Sequence, residues 1–373
     1  MGQYTIVILL LALFRAFSLV AGDYVASTTV TGDVAVVTSA ANSPFDGPKI
    51  SAVNSTAFDW WYFDAVSREG NQQITVIFFR AALEVNGKVP STDYVEVTVT
   101  FPNGTSHDSF FFGTSSSVTT DGEGATGIWN GTGCSFSGTP DLSQYTVTIK
   151  NEVFNGTLVL DSIAPAHYPD GSPASSTTAS VTAVPGVYGC NAIPGGKATV
   201  QFTAWGEDFE FYDGAGYHDK NWGGNSLAST ITSWYWGHAI VGAYTLVWFD
   251  GIAAGTNTRY SSTYLVENGK VLLSGQPTPF AANSDFAFVL PYGNGTEYPP
   301  ANDQLPSGFL ISYVGNQGQL WQFLAQGVYI ALDTSEGGLD GYTRWSGTVT
   351  GGEVGGVIAS GSGVWEWIRY YST

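Results

Sequence analysis

Basic side chains are scarce in this chain: 12 lysines and arginines stand against 31 aspartates and glutamates, a net charge of −19 over 373 residues. Binding a phosphate backbone takes clusters of Lys and Arg, so nucleic-acid binding is excluded, and the acidity reads as a solubility feature. Helical signal is also missing. No window sets apolar residues at helical spacing over three turns, and 47 glycines and 16 prolines spread through the sequence leave little room for helices. The chain holds only two cysteines, Cys134 and Cys190. In an oxidising compartment such a pair most simply forms one disulfide, and neither residue has a setting that suggests a nucleophile. Also absent are a Gly-x-Ser-x-Gly elbow, a P-loop and a His-Glu-x-x-His pair. Gly122-Glu-Gly-Ala-Thr-Gly127 matches a dinucleotide pattern by letters but opens no helix, so it reads as a glycine-rich turn. No cofactor and no metal are called for.

What is present begins with an apolar run, Ile6 to Ala21, broken by Arg15 and Ser18 and followed by Gly22 and Asp23. This is the shape of a secretory signal peptide over residues 1–22, although the first five residues carry no basic side chain. The run is short of the about 20 residues a membrane span takes, and no later stretch reaches that length, so no stable membrane insertion is expected after cleavage. Asn54, Asn103, Asn130, Asn155 and Asn294 each open an Asn-x-Ser/Thr sequon. Behind a signal peptide these mark a secreted or lumenal glycoprotein, with the four Asn-Gly-Thr sequons expected at hairpin tips.

The readable segments are strands. Residues 73–79, 94–101 and 145–150 are rich in β-branched and aromatic side chains, the last two alternating in character. Residues 263–273 read strand, Asn-Gly turn, strand. About 350 residues after the leader exceed one core, so two β units are expected, 23–200 and 201–373, divided after the Ser/Pro/Gly-rich stretch 165–194. The fold class is all-β, as two antiparallel barrels or sandwiches. With aromatics at 14% and 12 tryptophans, the sheets suit large cores or a pocket for a hydrophobic small molecule.

Three segments could carry chemistry: Phe58–Asp64, Gly216–Gly223 with Trp234–His238, and Gly361–Tyr370. If Gly216 and Gly223 make turns, His218, Asp219 and Asn221 sit on a loop at a barrel mouth. A carboxyl among aromatic rings is poorly solvated, so its pKa rises and it can deliver a proton, with His218 or Asn221 orienting it. Two other readings are open: Asp219 and Asn221 cap a tight turn, or His218, Asp219 and His238 converge on a metal. In the first segment, alternation puts Asp59, Trp61 and Phe63 on one face and Trp60, Tyr62 and Asp64 on the other. Asp59 is either a second acid or a rim residue bonded to backbone amides. Glu366 and Arg369 fall on opposite faces and read as barrel-closing residues.

Phe58-Asp-Trp-Trp-Tyr-Phe-Asp64, Gly216-Tyr-His-Asp-Lys-Asn-Trp-Gly223, Trp234-Tyr-Trp-Gly-His238 and the Gly-Val-Trp-Glu-Trp-Ile-Arg end together resemble the hydroxyneurosporene synthase (carotenoid hydratase)-like family, from about residue 45 to the C-terminus. The resemblance implies tandem lipocalin-like barrels. It also implies one of several activities: hydration of an isoprenoid double bond, as in carotenoid and kievitone hydratases, acid-catalysed rearrangement of a prenyl-derived epoxide, or, in a divergent branch, Diels–Alder cycloaddition. The acid-catalysed members use the aspartate of the His-Asp-x-Asn-Trp-Gly segment, here Asp219, and this chain keeps that segment whole. The resulting expectation is a cofactor-independent hydratase or cyclase. Asp219 is its acid, His218 and Asn221 set the acid's geometry, and Asp59, Trp61, Trp222, Trp236 and His238 line the substrate. The alternatives are an ordering pocket for cycloaddition and a non-catalytic carrier.

Overall fold

The computed structural model describes residues 28–371 apart from 42, 84–87, 277–283, 300–303 and 336–339, so the leader expected over 1–22 lies outside the described residues. Twelve strands form the first sheet: β1 Phe58–Val66, β2 Gln73–Ala81, β3 Asp93–Thr100, β4 Ser106–Phe112, β5 Ser115–Asp121, β6 Gly124–Asn130, β7 Cys134–Gly138, β8 Gln144–Lys150, β9 Phe154–Ser162, β10 Thr182–Val184, β11 Val187–Ala204 and β12 Glu207–Gly223. One short helix, α1 Leu227–Thr230, leads into the second sheet. Its nine strands are β13 Ile231–Val241, β14 Tyr244–Ala253, β15 Arg259–Glu267, β16 Lys270–Gly275, β17 Phe286–Tyr292, β18 Gly308–Val314, β19 Leu320–Asp333, β20 Gly341–Glu353 and β21 Ala359–Arg369. Every pairing is antiparallel, and both sheets curl into lipocalin-like barrels. Among the described residues no helix is long and apolar enough to cross a membrane.

Local chemistry explains the hairpins. Asn268 and Gly269, at φ 51° and 77°, join β15 to β16, and this left-handed pair matches the twist of the flanking strands. Gly122, at φ 58°, turns β5 into β6, as the glycine-rich reading expects. The chain passes from one sheet to the other between Gly223 and Ile231. The division expected at residue 200 falls inside β11, whose run of alternating apolar residues continues through it to Ala204.

Alternation sorts the side chains into three layers. The first barrel's interior holds Trp61, Phe63, Phe78, Trp129, Phe136 and Trp222. The second holds Tyr235, Trp248, Phe323, Trp345, Trp365 and Trp367. A third cluster, with Phe58, Tyr62, Ile77, Tyr217, Trp234, Trp236 and Ile368, lies between the barrels and joins the outer face of one to the outer face of the other.

The cysteines correct an expectation: both are free and buried. Cys134 on β7 and Cys190 on β11 are separated by β8 and β9, about three strand spacings of ~4.8 Å and beyond the ~7 Å that bridged Cα atoms tolerate. Cys190 Sγ contacts the Phe45 carbonyl at 3.2 Å instead. Of the sequon residues, Asn103, Asn130, Asn155 and Asn294 are exposed and Asn54 is half-buried. The Asn54 amide nitrogen, the atom a glycan would take, donates to the Gly32 carbonyl at 2.9 Å.

The first barrel also buries charge. Lys220 pairs with Asp59, both fully buried, and its ammonium sits 3.1 Å from the centroid of the Trp61 ring. The other Asp59 oxygen accepts the Lys49 backbone N–H at 2.8 Å. Burial pulls the Lys220 pKa down to about 8 despite that partner.

Two outcomes follow. Asp59→Ala strands the Lys220 ammonium in the core and is expected to cost about 3–5 kcal/mol of unfolding free energy, read from urea midpoints at pH 7. The thiols should resist a disulfide reagent in the native protein and yield two equivalents per chain once unfolded, without prior reduction.

Candidate active site

The outer faces that meet between the barrels carry two rows of side chains set by strand register. On the first barrel, Asp219 of β12 lies opposite Tyr62 of β1, Tyr62 opposite Ile77 of β2, and Ile77 opposite Glu96 of β3. On the second, Trp236 of β13 lies opposite Glu366 of β21, Glu366 opposite Arg344 of β20, and Arg344 opposite Leu332 of β19. One pleat further along come Asn221, Trp60 and Phe79 on one side and Trp234, Ile368 and Tyr342 on the other. All of these line one cleft, with Leu227, Thr334 and Tyr370 closing it. The cleft encloses about 830 Å³ of space free of protein atoms, its open mouth included. Its walls are mostly aromatic and aliphatic.

Asp219 is 7% exposed. The Tyr217 hydroxyl donates to its Oδ2 at 3.0 Å, while Oδ1 accepts no hydrogen bond from the described residues. Burial pushes the carboxyl pKa well above the ordinary aspartate value. The Tyr217 bond opposes this only in part, and Glu366, Asp64 and Asp46 add like-charge repulsion. Burial thus biases toward its neutral form a carboxyl that lines the cleft, the arrangement that suits a proton donor.

Its surroundings are ordered in turn. Tyr217 stacks on His238 with centroids 4.7 Å apart and meets Trp236 edge-on at 5.0 Å. Behind them His238 Nε2 lies 2.7 Å from Asp64 Oδ1, and the Tyr62 hydroxyl donates to Asp64 Oδ2 at 2.7 Å. At the other side of the cleft Glu366 accepts the Tyr342 hydroxyl and lies 3.7 Å from Arg344 Nε. Burial raises the Glu366 pKa while Arg344 holds it back. Glu96 is pushed to about 8, by burial first and then by Asp108, whose own carboxyl rises to about 6 through burial.

The structure redistributes the residues singled out in the sequence. Asp219, Asn221 and Trp236 line the cleft, and His238 stands one layer behind it. His218, Trp222, Asp59 and Trp61 do not reach it. The 216–223 segment is no loop but the end of β12, so alternate residues point to opposite sides of the sheet. Its glycines serve close packing rather than turns: a Cβ at Gly216 would come 2.4 Å from Leu160 Cδ2, and one at Gly223 2.6 Å from the Gly186 carbonyl oxygen. His218 points into the first barrel, with Nδ1 against the Tyr62 carbonyl at 2.9 Å and Nε2 against Asp46 at 3.2 Å, so it does not orient Asp219. The face split also keeps His218, Asp219 and His238 from sharing a metal. Trp222 donates to the Val37 carbonyl and Trp61 to the Asp46 carbonyl, fixing the 36–50 segment rather than a substrate. Asp59 is the partner of Lys220 described above.

Among the contributors that escaped the sequence reading are Tyr62, Glu96, Tyr342 and Arg344. Glu96 carried a usable signal, a carboxylate set between Val95 and Val97 in the strand Asp93–Thr100. Glu366 was read as a barrel closer and instead faces the cleft, with Arg369 on the opposite side over the Trp367 ring at 4.2 Å.

The model of the Diels-Alderase-like family matches residues 19–369. The quinolone epoxide rearrangement protein penF of Penicillium thymicola is 36% identical over 324 residues, covering 83% of this chain and 85% of that protein. Diels-Alderase ffsF of Aspergillus flavipes is 28% identical over 334 residues, covering 87% and 80%. Among solved structures, that of CghA matches with a TM-score of 0.75 at 21% identity, covering 93% of this chain and 97% of that one. Kievitone hydratase from Nectria haematococca matches at 0.53 and 14%, with the same coverages. These two likenesses bear on the fold alone.

The Glu96 carboxyl makes the site sensitive to pH. Its folded pKa of about 8 exceeds the ordinary 4.5, so the folded state holds a proton that the unfolded chain releases, and stability falls as pH rises from about 4.5 through about 8. Glu96→Gln cannot ionise. Its urea midpoint should gain on the wild type between pH 5 and pH 8, and a gap unchanged with pH would contradict the assignment.

Proposed function

Since this chain belongs to the Diels-Alderase-like family and carries a neutral carboxylic acid on an aromatic cleft, we propose that it is a cofactor-independent enzyme of secondary metabolism that rearranges or hydrates a hydrophobic substrate at an isoprenoid-type side chain by Brønsted acid catalysis. The observation that carries this reading is the Asp219 carboxyl, which lines the cleft, has its pKa raised by burial, and accepts the Tyr217 hydroxyl at Oδ2 while Oδ1 takes no hydrogen bond from the described residues. The 36% identity to a quinolone epoxide rearrangement protein over 83% of the chain supports an epoxide as the acceptor. The intact His218-Asp219-Lys220-Asn221-Trp222-Gly223 segment, which the resemblance ties to the acid-catalysed members, supports the same reading.

In this mechanism Asp219 Oδ1–H protonates the epoxide oxygen and the C–O bond breaks at the more substituted carbon, its electron pair staying with oxygen. The cation develops against the ring faces of Trp236 and Trp60, each worth on the order of 2 kcal/mol when desolvated. An internal nucleophile, or water, closes on the cationic carbon. The proton then released returns to the Asp219 carboxylate, so the acid is regenerated and an internal capture is a net isomerisation. Tyr217, held by its stack on His238, keeps Oδ2 engaged and leaves Oδ1 to react. If the acceptor is an alkene, the same proton goes to carbon and water supplies the hydroxyl.

A second reading draws on the family match and on the Diels-Alderase ffsF relative: the cleft orders a flexible chain for cycloaddition and lowers the barrier by positioning. We also infer entry into the secretory pathway with glycosylation at the exposed sequons, on the strength of the apolar leader and of Asn103, Asn130, Asn155 and Asn294 at the surface.

Asp219→Asn is expected to fold normally and to lose about 10²- to 10⁴-fold in turnover on a prenyl-epoxide quinolone. Wild-type turnover should fall as pH rises through the raised pKa of Asp219. On an alkene substrate in deuterated water, the product should carry deuterium on carbon. An Asp219→Asn enzyme with full turnover and unlabelled product would replace acid catalysis with the cycloaddition reading.

A further inference from the structure

Arg344 is a cation the proton chemistry does not use. It is 1% exposed, lines the cleft, and its Nε and Nη1 have no hydrogen-bond partner among the described residues. Its ion-pair partner among the described residues is Glu366, whose Oε2 is 3.7 Å from Nε, too far for a hydrogen bond, and already accepts the Tyr342 hydroxyl. The guanidinium carbon lies 5.5 Å from the Tyr62 ring centroid and 5.1 Å from that of Tyr342. Buried donors are paired in the great majority of cases, and a guanidinium presents a planar fork suited to oxygen acceptors.

We infer that the unpaired N–H groups of Arg344 bind a carbonyl or enol oxygen of the substrate, so that the enzyme takes a carbonyl-bearing ring with a hydrophobic side chain rather than a plain hydrocarbon. The inference rests on the acid-catalysis reading for the role of the side chain, but the binding itself needs no proton transfer. Register supports the division of labour. Arg344 and Trp236 flank Glu366 on β20 and β13, about two strand spacings of ~4.8 Å apart. The oxygenated ring is thus held away from the place where the cation forms. A fixed positive charge close to that carbon would oppose the reaction, whereas bound to a carbonyl oxygen it polarises the ring and fixes which end of the substrate meets Asp219.

The test uses two unreactive probes of one outline, 3-isopentyl-4-hydroxyquinolin-2-one and 3-isopentylquinoline, with Kd read from tryptophan fluorescence. Wild type should bind the oxygenated probe at least about tenfold more tightly. Arg344→Met should bring the ratio near one and leave quinoline binding within about threefold. Arg344→Lys, which keeps the charge but not the fork, should cut the ratio and serves if the Met variant does not fold. A wild-type ratio near one, or a ratio untouched by either Arg344 variant, overturns the inference. Asp219→Asn should keep the wild-type ratio. If that variant also keeps full turnover, the acid reading fails while the Arg344 assignment stands.

Discussion

Asp219 faces the cleft because β12 pairs with β1 in the register that sets it opposite Tyr62 and sets Lys220 opposite Trp61. Side chains alternate with a period of two, so a slip of one residue would bring Lys220, His218 and Trp222 to the cleft and drive Asp219 into the first barrel. The inward residues make that slip costly. Lys220 is bonded to Asp59, His218 lies against Asp46, and Trp222 and Trp61 donate to carbonyls of the 36–50 segment. A buried charge withdrawn from its partner costs several kcal/mol, so the polar interior of the first barrel locks the register on which the outer face depends.

The same strand shows two fates for a buried titratable group. Lys220 and Asp59 meet an opposite charge. Asp219, one residue away, meets a tyrosine hydroxyl and, beyond it, the like-charged Glu366 and Asp64. The difference in surroundings comes from which side of the sheet each side chain takes, since all three are buried. Tyr217 limits how far the acid is pushed, because its hydrogen bond favours the ionised form. It therefore tunes Asp219 toward a donor that can still regain its proton, as a regenerating acid must.

Much of the architecture could be read from local pattern. The alternation of Asp59-Trp60-Trp61-Tyr62-Phe63-Asp64 gives the two faces found in β1, and Asn268-Gly269 marks the hairpin between β15 and β16. Asp219 was also legible, as a carboxylate embedded among aromatics. Two errors had a common source. Reading Gly216 and Gly223 as turns made a loop of a strand end, and this put His218 and Trp222 beside Asp219 when they belong to the opposite face. The glycines there relieve close approach to Leu160, Gly186 and Phe58, which no local window reveals. Arg344 was out of reach for another reason: it joins the site only because two sheets stack, and the contact between the barrels is not a property of either strand.

The position of the cleft explains how one architecture can host different reactions. Its walls are the outer faces of two barrels whose own cores are separately filled. Lining residues such as Trp60, Glu96, Asn221 and Arg344 can therefore change without emptying either interior, where even a methylene is felt. A small set of outward positions then decides the chemistry: a protonated carboxyl in the Asp219 place gives cationic reactions, and an apolar side chain there would leave a cleft that only orders its guest. That freedom is bounded by the polar interior, because the strand that offers Asp219 to the substrate is the one that holds Lys220 and His218 in place behind it.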